Sequence, residues 1–519
     1  MKMNPSDNLL MAAIDIGSSA IRMDIAELRP DGDIHILDSL KKGVQLGRDA
    51  FTQGYLSQET IRAACEALRD FKKMMDTYGV HRYRAVATSA VRESSNSEMF
   101  LDRLLMSTGL DVEVIDGPEQ NRLTLSAVLD ALRGESDLGV AKSILVEVGG
   151  GSTDVALLSE GELQQSGTFP LGSIRLRTQA AGGSAKQDQQ IRLMKRHIAD
   201  LVSTIKREMD IKDAVHCIAL GSDIRFAARL LNESDPNRRL TSIPSNTFAE
   251  FVDSVSRLTV DGLFQKYSIP YPDAETLAPA LLIYLHLLKE TKAAAIIVSD
   301  ASIRAGILQD LAPAEQGKQL EKWATQILSA ARSLGRKYRY DEGHAERVRE
   351  LCVRLFDELR TEHRLTNTHR LYLEIAALLH DIGLFVGARS HHKHSYYLIS
   401  SSEIFGLRRP ALELIANIAR YHRRALPQRS HPAYVSLDHE QRMIVSKLAA
   451  ILRVANALDK DQPQKAIDLE ISREGDQIVL TAPGASDLSM LKAALAGRSD
   501  LFNEIFGKKI LLREAANTP

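Results

Sequence analysis

The chain has 519 residues, 26% of them charged, and a formal net charge of −1. That length exceeds a single hydrophobic core and suggests three or four domains. The near-neutral balance excludes a global basic field for nucleic acid, so a polyanion site needs its own cluster of arginines and lysines. No apolar run approaches the ~20 residues needed to cross a bilayer, which excludes a spanning helix.

In chain order, residues 12–26 and 34–41 predict adjacent strands, separated by a Pro30-Asp31-Gly32-Asp33 turn. Residues 60–78 carry apolar positions at helical spacing, and 83–87 and 112–115 read as further strands. These elements make a first α/β half over 1–137. A second half, 138–312, is predicted from strands at 143–148, 155–159, 215–220 and 293–298 and a long helix at 188–209. Composition shifts near Leu311-Ala312-Pro313. From 313 to 460 nearly every segment reads as helix, and histidines concentrate there. A small α+β module over 461–519 follows, with strands at 466–471, 477–481 and 508–513 and a helix at 489–496. Strands alternating with helices place the first 312 residues in the α/β class. Cys65, Cys217 and Cys352 lie far apart without metal-ligand spacing, as expected for buried thiols in a reducing cytoplasm. The stretch 9–14 is too short for a signal-peptide core and is broken by Asp15.

One pattern occurs twice. Ile-Asp-Ile-Gly-Ser-Ser at 14–19 is repeated as Val-Glu-Val-Gly-Gly-Gly-Ser-Thr at 146–153. An apolar strand ending in glycine lets backbone N–H groups close on a phosphate, and the hydroxyls add donors. Gly17, Ser18 and Ser19 would face Gly149, Gly150, Gly151 and Ser152 across a phosphate. The acids Asp15 and Glu147 could hold a divalent cation or a water beside it.

Both segments resemble the phosphate loops of the superfamily of actin, hexokinase and the heat-shock chaperone ATPases. Within it the chain is similar to the exopolyphosphatase / guanosine pentaphosphate phosphohydrolase (Ppx/GppA) family. The stretches Ala87-Thr88-Ser89-Ala90-Val91-Arg92, Val114 to Arg122, and Ser302-Ile303-Arg304-Ala305-Gly306 carry that likeness. The resemblance implies two duplicated ribonuclease-H-like halves followed by an all-α HD-like domain and a small α+β module. It implies release of terminal phosphate from inorganic polyphosphate or guanosine pentaphosphate by Mg²⁺-assisted attack of water. A homodimer is implied as well, with no nucleic-acid or membrane partner. In this pattern Arg92 contacts phosphate, Glu147 binds Mg²⁺ with Asp15 as the next candidate, and Asp154 orients water.

The position of the family's catalytic glutamate is Gln120, which cannot accept a proton at neutral pH but can orient a water. Its neighbour Glu119 is the substitute base to consider. Three readings stand: a phosphohydrolase with an altered base, a catalytically weak sensor of the same ligands, and hydrolysis at another site.

The helical region holds His344 and the pair His380-Asp381, which resemble the HD phosphohydrolase superfamily and its divalent-metal site. The distant aspartate expected there is Asn456, with Asp459 one turn later. A missing ligand favours histidines in structural roles. His391, His392 and His394 form a second cluster and His422 a third. Lys393, His394, Arg420, Arg423 and Arg424 are candidates for a basic wall that receives a long polyanion.

Overall fold

The computed structural model describes residues 9–132, 141–180, 187–231, 239–312, 319–423, 425–459, 470–482 and 488–514. Arg424, the start of the predicted strand at 466–471 and the proposed boundaries at 137, 313 and 460 lie outside them. The chain divides into two units, 1–322 and 323–519.

The first unit is built on two sheets of matching order. Strands β1 (Leu9–Ile16), β2 (Ala20–Leu28), β3 (Ile34–Gly43), β4 (Arg82–Ala87) and β5 (Val112–Val114) run β3-β2-β1-β4-β5. Strands β6 (Ser143–Val148), β7 (Thr153–Ser159), β8 (Glu162–Phe169), β9 (His216–Leu220), β10 (Leu240–Pro244) and β11 (Ala295–Ser299) run β8-β7-β6-β9-β11-β10. In each sheet three antiparallel strands lead into parallel ones, and only the antiparallel edge strand β10 has no counterpart. The two matching sheets fit the duplicated pair of halves expected from the repeated motif.

The predicted strand at 12–26 is two strands. Gly17, Ser18 and Ser19 form the turn of the β1–β2 hairpin, where Gly17 N donates to Ala20 O at 3.1 Å. The β6–β7 hairpin repeats it, with Gly149 N donating to Ser152 O at 2.9 Å. Apolar continuity across the short polar turn hid the first reversal. Strands β8 and β10 were also missed, because β8 is largely polar along its length and β10 is a short edge strand.

The core of the first half packs one face of its sheet against the helix Gln58–Tyr78 through Ile61, Leu68, Phe71 and Met75. That helix starts at Ser57, whose side chain accepts from Thr60 N, and ends at Gly79 in the left-handed region. The other face of the sheet is covered by the helix Ile303–Leu311, with Ile303, Ile307 and Leu308 against Met11, Ala13, Val86 and Leu123. The helix sits very close: a Cβ at Gly306 would collide with the Leu123 backbone carbonyl. The core of the second half gathers around the strongly apolar helix Tyr271–Leu288.

The second unit is helical from 323 to 459 among its described residues and ends in a three-stranded sheet. In that sheet β12 (Glu470–Glu474) is antiparallel and β14 (Lys509–Glu514) parallel to the central β13 (Gln477–Ala482). Its longest helix, His439–Asp459, is buried over most of its length. Arg453 on it is fully buried and reaches Asp500 at 2.5 Å, which ties this helix to Asp500–Phe506. The three cysteines are free and buried. Among the described residues no helix is long and apolar enough to cross a membrane.

Candidate active site and a histidine cluster

The two hairpin turns face each other across a cavity of about 110 Å³. Asp15, Gly17, Ser18 and Ser19 line it from the first sheet, and Glu147, Gly149, Gly150 and Ser152 from the second. Gly150 is forced by this closeness, since a Cβ there would lie 2.7 Å from Ser18 Cβ and 2.8 Å from Ile174 Cδ1. Gly151 does not line the cavity; it lies against the Phe51 ring.

The hairpins also place their charges by register. Asp15 pairs with Arg22 across β1–β2, and Glu147 pairs with Asp154 across β6–β7. Arg22 and Arg304 each bring a guanidinium nitrogen to 3.9 Å from Asp15 Oδ2. Arg304 is steadied by Asp24, to which its Nε donates at 2.7 Å. Arg225 completes the basic lining. Burial pushes the Asp15 carboxyl up, against the pull of Arg22 and Arg304. Burial likewise raises Glu147, opposed by the Thr124 hydroxyl that donates to it at 3.1 Å and by Arg225. Asp15 adds to the rise at Glu147, so two desolvated carboxyls face the same space. Such a pair is stabilised as carboxylates by a cation between them. A third carboxyl of the lining, Asp223, is pushed by burial up to about 6 and accepts from Thr276 Oγ1 at 2.9 Å.

The helix Gly117–Ala131 supplies the next residues. Asp116 caps it by accepting from Glu119 N, and Pro118 occupies its first turn. Successive helical residues diverge by about 100°. Gln120 lines the cavity, whereas Glu119 points away from it into a buried ion network. Arg84 Nη2 and Arg122 Nε each donate to Glu119 at 2.8 Å, and both arginines also engage Asp310. The geometry therefore corrects the expectation that Glu119 substitutes as base: its oxygens are held by two guanidinium groups. Gln120 Nε2 donates to Asp154 Oδ2 at 2.8 Å, while its Oε1 is buried and accepts no hydrogen bond. Asp154 thus lies behind Gln120 and is not itself among the lining residues. Arg92 is not among them either; its Nη1 donates to the Ile115 carbonyl at 2.6 Å.

Sequence reasoning assigned no role to Arg22, Thr88, Ser89, Gly221, Asp223, Arg225 or Arg304, all of which line the cavity. Arg22 was discoverable, because a reversal at 17–19 pairs it with Asp15. A second cavity of about 220 Å³ shares Ser19 and Thr276 with the first and adds Gln45, Arg48, Arg177 and Glu275, with no aromatic side chain in its lining.

In the second unit the fold brings His344, His380 and Asp381 together, and joins His391 and His422 to the same carboxylate. His392 and His394 are not members of either group. Burial lowers His380 to about 4, against the pull of Asp381, so this ring is neutral. Asp459 accepts from Arg347 Nε at 2.6 Å and lies 2.5 Å from His344 Nδ1, the ring nitrogen away from the cluster. Arg420 stacks over the Tyr396 and Tyr421 rings, with 5.5 and 5.8 Å to their centroids.

The profile of the Ppx/GppA phosphatase family matches residues 25–315, and that of its domain III matches residues 328–487. A solved exopolyphosphatase from Cytophaga hutchinsonii superposes with a TM-score of 0.54 at 21% identity, covering 59% of this chain and 98% of its own. The Ppx/GppA family member from Aquifex aeolicus gives 0.50 at 24% identity, covering 60% of this chain and 99% of its own.

Proposed function

As the chain belongs to the Ppx/GppA phosphatase family, we propose that the cleft between the two hairpin turns releases the terminal phosphate of inorganic polyphosphate by attack of water. The carrying observation is Gln120. Its amide is fixed by Asp154, and the oxygen left over is a buried acceptor beside the phosphate turns. That oxygen accepts a hydrogen bond from the attacking water and sets its line of approach. The turns around Gly17 and Gly149 hold the terminal phosphoryl group through backbone N–H groups and the Ser18, Ser19 and Ser152 hydroxyls. Arg22, Arg225 and Arg304 meet its charge, a task suited to planar guanidinium groups, with Arg92 at the far end of the short helix that begins at the lining residue Ser89. Asp15 and Glu147 would hold Mg²⁺, which when bound spreads the charge that develops on the transferred group. Asp223, with its carboxyl near neutrality, is the group suited to receive the water's proton.

Polyphosphate is favoured over a guanosine polyphosphate because the adjoining cavity has no aromatic surface for a base; it offers Arg48, while its Arg177 is paired with Glu275 at 2.7 Å. The proposed assembly is a homodimer, on the family resemblance. The second reading, a sensor with weak turnover, is favoured by the amide at Gln120 itself. Phosphate release from long polyphosphate and from guanosine pentaphosphate, each with and without Mg²⁺, decides between them. Mg²⁺-dependent release from polyphosphate supports the enzyme. Tight binding without release, together with a steep gain in the Gln120→Glu variant, supports the sensor.

A further inference from the structure

The cleft of the first unit begins where strands β6 and β9 end, and one buried side chain behind that edge takes no part in its lining. Tyr284 lies on the helix Tyr271–Leu288, is 1% exposed and is not among the residues of the cavity. The alternation of the hairpin explains where its hydroxyl is needed. Gly149 N donates to Ser152 O, so Val148, one residue earlier, turns its N–H away from β7 and toward β9. The parallel pairing of β6 with β9 stops at Glu147 and Leu220, where β9 itself ends. Val148 N donates instead to Tyr284 Oη at 2.9 Å, and that hydroxyl donates its own hydrogen to the Leu220 carbonyl. Burial pushes the phenol well up, so it keeps its proton. One oxygen thus satisfies a buried N–H and a buried C=O at the point where the ladder stops.

The two backbone groups held in this way bracket the chemistry of the cleft. Val148 joins Glu147 to the Gly149 turn. Leu220 is followed by Gly221, with a φ of +116°, and then by the helix Ser222–Leu231 with Asp223 in its first turn. The same hydroxyl confines Gly221, since a Cβ there would lie 3.1 Å from Tyr284 Oη. Thr276, two turns earlier on the helix of Tyr284, donates to Asp223. One helix therefore fastens both strand ends and the Asp223 carboxyl. A hydroxyl between the strands also keeps them farther apart than a direct N–H to C=O bond would, by ordinary hydrogen-bond lengths.

We propose that Tyr284 is a positioning residue for the cleft: its hydroxyl is a spacer that replaces a rung between β6 and β9 and sets Glu147 and the Gly149 turn at working distance from Asp223. This role rests on the phosphatase reading of the cleft and refines it.

Tyr284→Phe deletes the spacer and keeps the ring that fills the core. The full chain and this variant are assayed with long polyphosphate and Mg²⁺, and their amide hydrogen exchange is followed by mass spectrometry. The expected kcat is about 10²-fold below the wild type, the loss that a misplacement of about 1 Å brings, with KM little changed. Exchange should quicken in peptides covering 146–153 and 218–225 and stay unchanged in the helix Gln58–Tyr78. A merely structural hydroxyl would lower the melting temperature and leave kcat, measured well below melting, at the wild-type value. That result overturns the proposal, as does unaltered exchange at both strand ends. Absence of turnover in the wild type is a failure of the phosphatase reading, and exchange then decides the spacer alone: quickening at both strand ends upholds it and unaltered exchange rejects it. If Tyr284→Phe fails to fold, the wild-type Val148 amide is read by nuclear magnetic resonance. Protection equal to that of Val146, which lies within the ladder, upholds the bridge, and fast exchange overturns it.

Discussion

Gln120 gives its amide hydrogen to Asp154 at 2.8 Å, and this bond fixes which end of the amide meets that carboxylate. An amide can turn over at little cost unless a fixed partner distinguishes its two ends. Asp154, carried on β7 directly opposite Glu147, is that partner. Asp154→Asn should lower kcat about 10²-fold, the low end of what a positioned proton-handling group contributes. KM should hardly change. Gln120→Leu should cost a similar factor, and the double variant little more, because the two residues act as one unit. Fully multiplicative losses would mean that they work apart.

Asp223 makes stability and rate depend on pH in a stated direction. Its folded-state carboxyl is raised to about 6 from 3.8, so the folded protein holds a proton that the unfolded chain releases. The stabilisation is complete below pH 3.8 and is lost as pH rises to about 6. The difference is worth about 3 kcal/mol at the usual conversion per pKa unit. Asp223→Asn should therefore melt higher than the wild type at pH 7.5 and lose that advantage near pH 4. It should also flatten the acidic limb of the pH–rate profile. Equal melting temperatures at both pH values would remove the burial argument.

Gly150→Val should abolish phosphate binding while leaving a folded protein. The added atoms meet Ser18 and Ile174, so the turns must separate. Overpacking of this kind costs about 1–3 kcal/mol. Isothermal titration with a short polyphosphate, beside a melting curve, reads both effects; retained affinity would break the two-turn clamp.

Two arginines compete for the phosphate-facing role. Arg304 lines the cleft, while Arg92 donates to the Ile115 carbonyl. Arg304→Ala should lower kcat by about 10²-fold or more, as expected when charge stabilisation of the transferred group is lost. Arg92→Ala should cost less. The reverse order in steady-state kinetics would return the role to Arg92.

Glu147→Gln should weaken the Mg²⁺ dependence of turnover far more than it affects folding. Glu147 is buried and shares its surroundings with Asp15, so loss of its charge relieves a desolvated pair while removing a ligand. A Mg²⁺ titration of rate, with melting temperature alongside, checks it; an unchanged half-saturation would leave Asp15 as the principal ligand.

The duplicated turns were legible because glycine and hydroxyl residues follow acid-bearing apolar strands in both copies. The fate of Glu119 was not legible. Its distance from the cleft depends on Arg84 and Asp310, which are far away in sequence. Arg22 was concealed by reading β1 and β2 as one strand. In the helical unit Asn456 stands where the sequence pattern expects an aspartate. The histidines that gather around Asp381 come instead from helix ends near His391 and His422, which no local periodicity connects.

The helix Ile303–Leu311 comes from the far end of the second half yet lies on the sheet of the first, with Gly306 against Leu123. The polypeptide thus passes between the halves twice, once beyond the helix Gly117–Ala131 and once between β11 and residue 303. Two bodies joined by a single thread can swivel about any axis. With two crossings, a single chain break between the halves would leave them joined through the other.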